Sequence, residues 1–397
     1  MKKNLKKSLL VVSIIAGLTG CNSNQMDIES QKLKDQQEVD LGKKLFFDTM
    51  LSKNGTQSCA TCHNPENAFV DDRKNGVNGA GSLGDDGISI GDRNAPTAAY
   101  AMFSPKFHYD VKKGEYIGGQ FFDGREHTLK GQAGGPPTNA VEMGIPSKEF
   151  MSQRLEKDIT YNKEFKSLYG EDIFTNNEKT YEMMSQAISA FEKTEEFAPF
   201  DSKYDRYLKD EYDLTPLEDL GRTLFFSNNN NNCASCHVLK TEDAPKETFT
   251  NYQYHNIGVP QNKELMAKNV VDENSFVDHG LMQNPIVKNL ENAKEFDGKM
   301  KVPTLRNIAV TGPYMHNGVF QDLTTVVKFY DKYINKEQTI NPETNKPWAE
   351  AEVSVGKSDM KLLKKGKALN ERKIKALVAF MNTLTDKRYE HLIKEEK

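Results

Sequence analysis

The apolar positions of this chain fall into short helical stretches set between long polar loops. Leu41, Leu45 and Phe46 recur at helical spacing, which predicts a short helix over Asp40–Phe47. Ser147–Tyr169 and Glu178–Phe197 also read as helices. Ser147 supplies an N-cap for the first, and Met183, Ala187, Ile188 and Phe191 give the second an apolar face. Thr215-Pro216-Leu217-Glu218 has Thr to cap, Pro at the first helical position and Glu at the third, a helix start. Asn370–Thr385 closes the chain as an amphipathic helix with Ile374, Leu377, Val378, Met381 and Leu384 on one side. Between these lie Asn75–Arg93, rich in Gly and Asp and read as a mobile loop, Asn228–Asn232, read as a solvated loop, and Asn335–Lys365, read as a polar insertion. The pattern predicts a mostly α fold with long loops and little β structure.

One pattern occurs twice. Leu41-Gly42-Lys43-Lys44-Leu45-Phe46-Phe47 precedes Cys59-Ala60-Thr61-Cys62-His63, and Leu220-Gly221-Arg222-Thr223-Leu224-Phe225-Phe226 precedes Cys233-Ala234-Ser235-Cys236-His237. An internal repeat of this kind implies two copies of one unit, made of a helix, a Cys-x-x-Cys-His loop and further helices. Cys-x-x-Cys-His is the spelling of covalent c-type haem attachment, in which two thiols bind the haem vinyl groups and the adjacent His meets the iron. A zinc site would want paired motifs close enough to share one ion. A thioredoxin-like redox pair has no need of the following His. The motif therefore assigns two haems c, one to Cys59, Cys62 and His63 and one to Cys233, Cys236 and His237. The fold expected is two cytochrome-c-like domains related by duplication, at 39–200 and 201–397.

The 397 residues suit two domains. A net charge of -4 gives no bulk case for nucleic acid binding. The hydrophobic share of 37% is modest, and two buried porphyrins would add apolar core. The fifth cysteine, Cys21, follows a lysine-rich start, an apolar run over Leu9–Ala16 and Leu18-Thr19-Gly20. This resembles a bacterial lipobox, so residues 1–20 read as a lipoprotein signal and Cys21 as the lipid-carrying first residue. Residues 21–38 are polar without apolar periodicity and read as a tether. The expected location is the periplasmic face of a bacterial membrane.

The chain resembles the bacterial dihaem cytochrome c peroxidases and their MauG-like relatives. The likeness rests on the duplicated haem motif, Arg93-Asn94-Ala95-Pro96-Thr97, Phe122-Asp123-Gly124-Arg125 through Glu142-Met143-Gly144, and Val302-Pro303-Thr304-Leu305-Arg306-Asn307 through Pro313-Tyr314-Met315-His316-Asn317-Gly318. It implies that H2O2 reacts at the N-terminal haem, with Gln132 and Glu142 on its distal side as catalytic residues and Pro136 between them. It implies electrons passed through the C-terminal haem from a small cytochrome c or another donor. It implies a calcium ion between the haems, held by Asn94, Thr311 and Pro313, and a homodimer. Arg306, His316 and Arg125 are expected at haem propionates or at the seam between domains. Residues 64–93 contain no His to block the first iron, so that iron is expected open at rest. The second iron's distal ligand falls at Tyr330, as in the MauG-like branch. Phe122 stands where the family commonly has a Trp, which weakens a hopping relay there; Tyr116 and Tyr314 are alternatives, and the only Trp is Trp348. The expected function is peroxide reduction. The alternatives are a MauG-like oxidase that modifies a protein side chain and a non-enzymatic electron-transfer cytochrome.

Overall fold

The computed structural model of the chain describes residues 19–227, 232–241, 244–269 and 276–394. Five helices organise it: α1 (Thr19–Phe47), α2 (Asn177–Glu192), α3 (Pro216–Phe225), α4 (Leu323–Asp331) and α5 (Glu371–Asn382). Helix α1 packs on α2, and α3 packs on α5. Each crossing is made at a glycine. A Cβ on Gly42 would lie 1.8 Å from the Ala187 carbonyl oxygen, and one on Gly221 would lie 1.8 Å from the Ala376 carbonyl oxygen. Only a residue without a side chain admits backbones so close. The Leu-Gly of the repeated sequence is thus a packing device in both halves.

A separate core surrounds each crossing. Leu41, Leu45 and Phe46 bury with Ala187, Ile188 and Phe191, while Leu224 and Phe225 bury with Ile374, Leu377 and Phe380. The edge-on and tilted ring contacts recur at matched spacing, 5.4 Å for Phe46–Phe191 and 5.3 Å for Phe225–Phe380. Helix α3 starts as its sequence predicts. The Thr215 hydroxyl accepts from the Glu218 N–H, and the Glu218 carboxylate accepts from the Thr215 N–H. Asn370 caps α5 through the Lys373 N–H.

Several expectations need correction. Helix α1 continues back through the segment read as a tether. From Gln31 on, the segment is mostly Gln, Lys, Leu and Glu, which are good helix formers, and Gln31–Asp35 and Gln36–Asp40 pair four residues apart. The missing apolar stripe meant only that residues 28–37 pack on nothing and stay exposed. Residues 1–18 of the expected signal lie outside the described residues. Ser147–Tyr169 is two helices, Lys148–Lys157 and Ile159–Tyr169, because the Asp158 carboxylate caps the second by accepting from Thr160 and Tyr161. Helix α2 stops at Glu192, and Met184 rather than Met183 is its buried methionine. The Gly/Asp loop is anchored, with Val77, Ala80 and Ile90 buried against Leu265 and Met266. Asn228–Asn231 falls outside the described residues, but Asn232 is buried. The polar insertion forms a two-stranded pair (Ile340–Asn341 with Lys346–Pro347) and a helix (Lys357–Leu363). It is pinned by Trp348, whose ring lies 5.9 Å from Phe320 and 5.7 Å from Phe329. The other strand pairs among the described residues are His108–Asp110 with Glu115–Ile117 and Tyr254–His255 with Met300–Lys301.

The halves are locked at a seam. Arg306 is 0% exposed and gives Nη1 and Nη2 to Asp205 at 2.6 and 3.0 Å and Nε to the Glu247 carbonyl at 2.8 Å. It lies over the Tyr100, Phe200 and Phe249 rings. Tyr100 donates to Asp386 at 2.6 Å, and Asn307 donates to the other Asp386 oxygen at 2.8 Å. Arg306 therefore belongs to the seam, the second of the two placements expected for it.

Candidate haem sites

The Cys-x-x-Cys-His loops fold alike. Each is a single turn in which the His N–H bonds the first Cys carbonyl at 2.9 Å (His63 to Cys59, His237 to Cys233). The four thiols form no disulfide. Burial pushes Cys62 up to about 11 and Cys233 up to about 12, the reverse of a redox-active pair, whose thiols are made acidic. The imidazoles are held from behind: His63 Nδ1 lies 3.1 Å from the Phe69 carbonyl, and His237 Nδ1 lies 3.0 Å from the Phe249 carbonyl. A proton on Nδ1 leaves the Nε2 lone pair for a metal, the usual outer support of a ligating His. Burial lowers both imidazoles, His237 to about 4, so they are neutral and able to ligate.

The support extends one layer further, through residues whose repetition the sequence reading missed. Phe69 and Phe249 both hold left-handed backbone, at φ 54° and 53°. Non-glycine residues adopt this only when their surroundings impose it. The imposing groups are Thr97, which donates to the Ala68 carbonyl at 2.6 Å, and Thr304, which donates to the Thr248 carbonyl at 2.7 Å. Pro96-Thr97 and Pro303-Thr304 are thus the same device in the two halves. The legible signal was a Pro-Thr pair in each half, and it is weak without the fold to align it.

The second site opens on a cavity of about 340 Å³ lined by Cys233, Cys236, His237, Leu377, Met381 and Tyr330. Tyr330 projects from α4, whose N-terminus Asp322 caps through Thr324 and Thr325. It shares the cavity with Cys233 and Cys236, and its phenol is pushed above its ordinary pKa, first by burial and then by those two groups. Met315 lines the same cavity.

At the first site Glu142 sits in a turn closed by Glu142 N–H to Asn139 O (3.1 Å) and Gly144 N–H to Asn139 O (2.9 Å), with its own carbonyl accepting from Asp85 at 2.7 Å. Its half-buried carboxyl lies within electrostatic reach of Cys62. Burial raises its pKa, Arg125 opposes this and Asp92 adds to it. Gln132 is half-buried on the short helix Leu129–Ala133, capped by Thr128. Pro136 opens the turn that follows. The structure thus brings Glu142 to the edge of the Cys59–His63 loop on one continuous segment with Gln132.

The comparisons with known proteins agree with this geometry. Residues 36–213 match the family model described as di-haem cytochrome c peroxidase. The methylamine utilization protein MauG of Paracoccus denitrificans is 45% identical over 372 residues, covering 93% of this chain and 94% of that one. The chain belongs to the di-haem cytochrome c peroxidase and MauG family. The cytochrome c peroxidase Ccp of Escherichia coli is 32% identical over 77% of this chain and 56% of that protein. Among solved structures, the diheme peroxidase BthA of Burkholderia thailandensis superposes with a TM-score of 0.79 at 28% identity, covering 90% of this chain and 88% of that one. A MauG-like protein associated with microbial copper homeostasis gives 0.62 at 27% identity over 90% of this chain and 91% of its own.

Family membership brings two haems c. The residues fit them, with four unpaired thiols, two Nε2 atoms left free by Nδ1 bonds and, at the second site, an apolar cavity. Cys59, Cys62 and His63 would hold one haem, and Cys233, Cys236 and His237 the other. Between the family's two sites the seam is polar. Arg93 grips Asp278 through Nε and Nη2 and Asp123 through Nη1, each at 2.7 Å. Arg125 also meets Asp123, at 3.0 Å, while lying over the Phe121 ring. His316 is buried with its Nε2 3.8 Å from Asp278, and its carbonyl accepts from the Asn94 N–H at 2.7 Å. Phe122 stands 6.4 Å from the His316 ring on the wall of the cavity. Tyr314 lines that wall too, whereas Tyr116 lies in an aromatic cluster with Phe107 and Phe296 and is absent from the lining. Asn94, Thr311 and Pro313 all line the cavity, and the Asn94 amide donates to the Gly79 carbonyl at 3.2 Å. No helix among the described residues is long and apolar enough to cross a membrane.

Proposed function

We propose that this chain is an exported dihaem enzyme that reduces hydrogen peroxide to water at the His63 site and draws electrons through the His237 site. The observation that carries the reading is Glu142, a carboxyl fixed by its turn beside Cys62 and raised by burial. The bound haem supplies the electron chemistry with peroxide. Glu142, its carboxyl raised by burial, is the group placed to carry a proton to the departing oxygen. The Gln132 amide orients the two oxygens by hydrogen bonding. Two electrons and two protons then convert one peroxide to two waters. Residues 64–93 carry no His to compete for the first iron, so the as-isolated ferric protein is competent. Tyr330, which lines the cavity, would be the second iron's further ligand, and as a phenolate it would favour the ferric state.

The remaining assignments belong to the same reading. The halves at 39–200 and 201–397 are two cytochrome-c-like domains descended from one. Asn94, Thr311 and Pro313 supply oxygen ligands to a calcium ion. Residues 1–20 direct export, Cys21 carries the lipid, and residues 21–38 form a helical stalk on the periplasmic face. Reductant comes from a small cytochrome c, and the enzyme pairs as a homodimer. The test is steady-state peroxide reduction by the as-isolated ferric protein with several donors. Glu142→Gln should slow turnover by about 10²–10⁴-fold with both haems retained. Unchanged turnover would remove Glu142 from the chemistry.

A second reading is favoured by Tyr330 and by the 45% identity to a MauG protein across nearly the whole chain. Here the oxidising equivalents act on a side chain of a partner protein. Slow peroxide reduction with every donor, together with a long-lived oxidised spectrum after peroxide, would select it over the first. Two low-spin haems with no peroxide reaction would leave only electron transfer.

A further inference from the structure

The two halves match residue for residue around their helix crossings, and one mismatch stands out. With Gly42 on Ala187 and Gly221 on Ala376, α2 residues Ser189 and Glu192 correspond to α5 residues Val378 and Met381. Val378 and Met381 are buried and apolar, and Met381 lines the His237 cavity. In the first half the same face, one turn of helix, carries a hydroxyl and a carboxyl. Ser189 is fully buried and Glu192 is 5% exposed. Ser189 Oγ and Glu192 Oε2 find no hydrogen-bond partner among the described residues. Cys59 packs on the core that includes Ile188 and Phe191, the matching Met381 lines the His237 cavity, and the Glu192 charge reaches Cys59, so this carboxyl belongs to the surroundings of the first haem site. A buried carboxyl without a partner has no structural reward and costs stability. The second half shows that an apolar side chain fills this place.

We propose that Glu192 is a redox-linked proton site of the His63 haem, taking up one proton when that haem gains an electron and releasing it when the electron leaves. This rests on the assignment of haem c to Cys59, Cys62 and His63. The balance is one electron from the reductant and one proton from water onto the carboxylate for each reduction. The positive charge of the oxidised site favours the carboxylate; once the electron arrives, that support is lost and the proton binds. Burial has already brought Glu192 up to about 8, with Lys193 opposing, so the coupling falls at working pH. Several of the cations on elements packed against α2 bond groups other than Glu192, among them Arg154, which donates to the Met50 and Ser52 carbonyls. On α1, Lys43 pairs with Glu196 and Lys44 with Glu164. Lys130 pairs with Glu182 and Lys148 with Glu178. Cys59, on the loop itself, is consumed by the haem linkage. The His237 site has Met381 in this place and takes up no proton there. The asymmetry also serves the proposed chemistry, because it stores a proton in the half that consumes protons.

The test is a spectroelectrochemical titration of both haems as a function of pH in the holoprotein. Wild-type His63 haem should show a midpoint potential that falls as pH rises through the neutral and mildly alkaline range, while the His237 haem stays flat there. Glu192→Gln and Glu192→Met, the latter restoring the second half's residue, should raise the His63 potential and flatten its slope. Unchanged slopes in both variants would overturn the proposal. Because Glu192 belongs to the surroundings of the haem, a measurement on unaltered protein stands beside the variants. The reduced-minus-oxidised infrared difference spectrum should contain a protonated carboxyl C=O band that moves on ¹³C-glutamate labelling, and its absence would also overturn it. Mass analysis separates this from a failure of the haem assignment itself, since that failure would appear as a chain without haem at Cys59 and Cys62.

Discussion

The glycine crossings make a prediction whose sign is contested between two effects. Gly42→Ala replaces the poorest ordinary helix former with the best, worth about 1 kcal/mol in an open helix. At the crossing the new Cβ would sit 1.8 Å from the Ala187 carbonyl oxygen and 2.5 Å from its carbon. Ordinary contact begins at 3.4 Å, so α1 and α2 must part by about 1.6 Å. Both atoms met are backbone, so no side chain can swing aside. Separation would loosen Leu41, Leu45 and Phe46 from Ile188 and Phe191, all nearly fully buried. Overpacking of this kind costs about 1–3 kcal/mol, and the upper part of that range, fitting for a clash with rigid backbone, leaves a net loss of up to about 2 kcal/mol after the helix gain. Each kcal/mol moves Tm by about 2–4 °C in a domain of this size. Thermal unfolding of the holoprotein by circular dichroism should show Tm falling by several degrees for Gly42→Ala and equally for Gly221→Ala. Gly91→Ala, whose added atom has its nearest neighbour at 3.6 Å, is the control and should be near neutral. A Gly42→Ala protein as stable as the parent, or more so, would refute the argument.

Other perturbations follow from the same structure. Arg306→Met strands the buried Asp205 carboxylate and should lower unfolding free energy by about 3–5 kcal/mol in urea, and a loss below about 1 kcal/mol would contradict the seam described above. Burial pushes Asp386 up to about 6, against Tyr100, Asn307 and Arg306, so the folded state holds its proton more tightly than the unfolded chain. That contribution is complete below the unfolded carboxylate value and is lost as pH rises through about 6. Stability curves should therefore show wild type losing ground to Asp386→Asn across that window, and parallel curves would sink the idea. Thr304→Val removes the hydroxyl that holds the Thr248 carbonyl and should cost roughly 1 kcal/mol and shift only the His237 haem potential. Tyr330→Met should raise that same potential and change the low-spin ferric spectrum, and an identical spectrum would remove Tyr330 as a ligand.

What the sequence disclosed depended on how local the signal was. Cys-x-x-Cys-His is five adjacent residues with one covalent meaning, and Thr215-Pro216-x-Glu218 is a cap whose partners lie three positions apart. Leu41, Leu45 and Phe46 announced a buried face, and they are buried. The helical stalk of α1 was hidden because an apolar stripe reports packing, and residues 28–37 pack on nothing. The split at Asp158 was hidden because a mid-pattern Asp can decorate a helix or cap the next one. Nothing local marked Thr97 and Thr304 as partners of Ala68 and Thr248, since the bonds bridge tens of residues. Glu142 and Gln132 came from resemblance, and Glu192 had no motif at all. Its carboxyl becomes visible only when one half is laid over the other.

That overlay changes what asymmetry means in this chain. The proximal chemistry is the same on both sides: one loop, one phenylalanine carbonyl behind each imidazole, and one threonine on the carbonyl of the residue before that phenylalanine. Functional difference must then come from the residues around the haems. Tyr330 in the second half shares its cavity with Cys233 and Cys236, and Glu142 and Glu192 in the first half bring carboxyls within electrostatic reach of Cys62 and Cys59. On the proposed function, a phenolate ligand at Tyr330 would suit a site that holds oxidising equivalents, and flanking carboxyls would suit a site that delivers protons. Between them the wall carries Phe122, which is harder to oxidise than Trp or Tyr, alongside Tyr314 and the Arg93–Asp278–Asp123 ion network. Electrons crossing that wall have no easily oxidised side chain at position 122. Direct tunnelling between the haems and passage by way of a lining tyrosine such as Tyr314 are the routes left to test. Phe122→Trp should therefore speed interhaem equilibration after a sub-stoichiometric pulse of reductant, read as the two haems' absorbance changes in stopped flow. Tyr314→Phe should slow it if that phenol takes part. If both variants equilibrate at the wild-type rate, the transfer is direct, and the identity of residue 122 is a matter of packing alone.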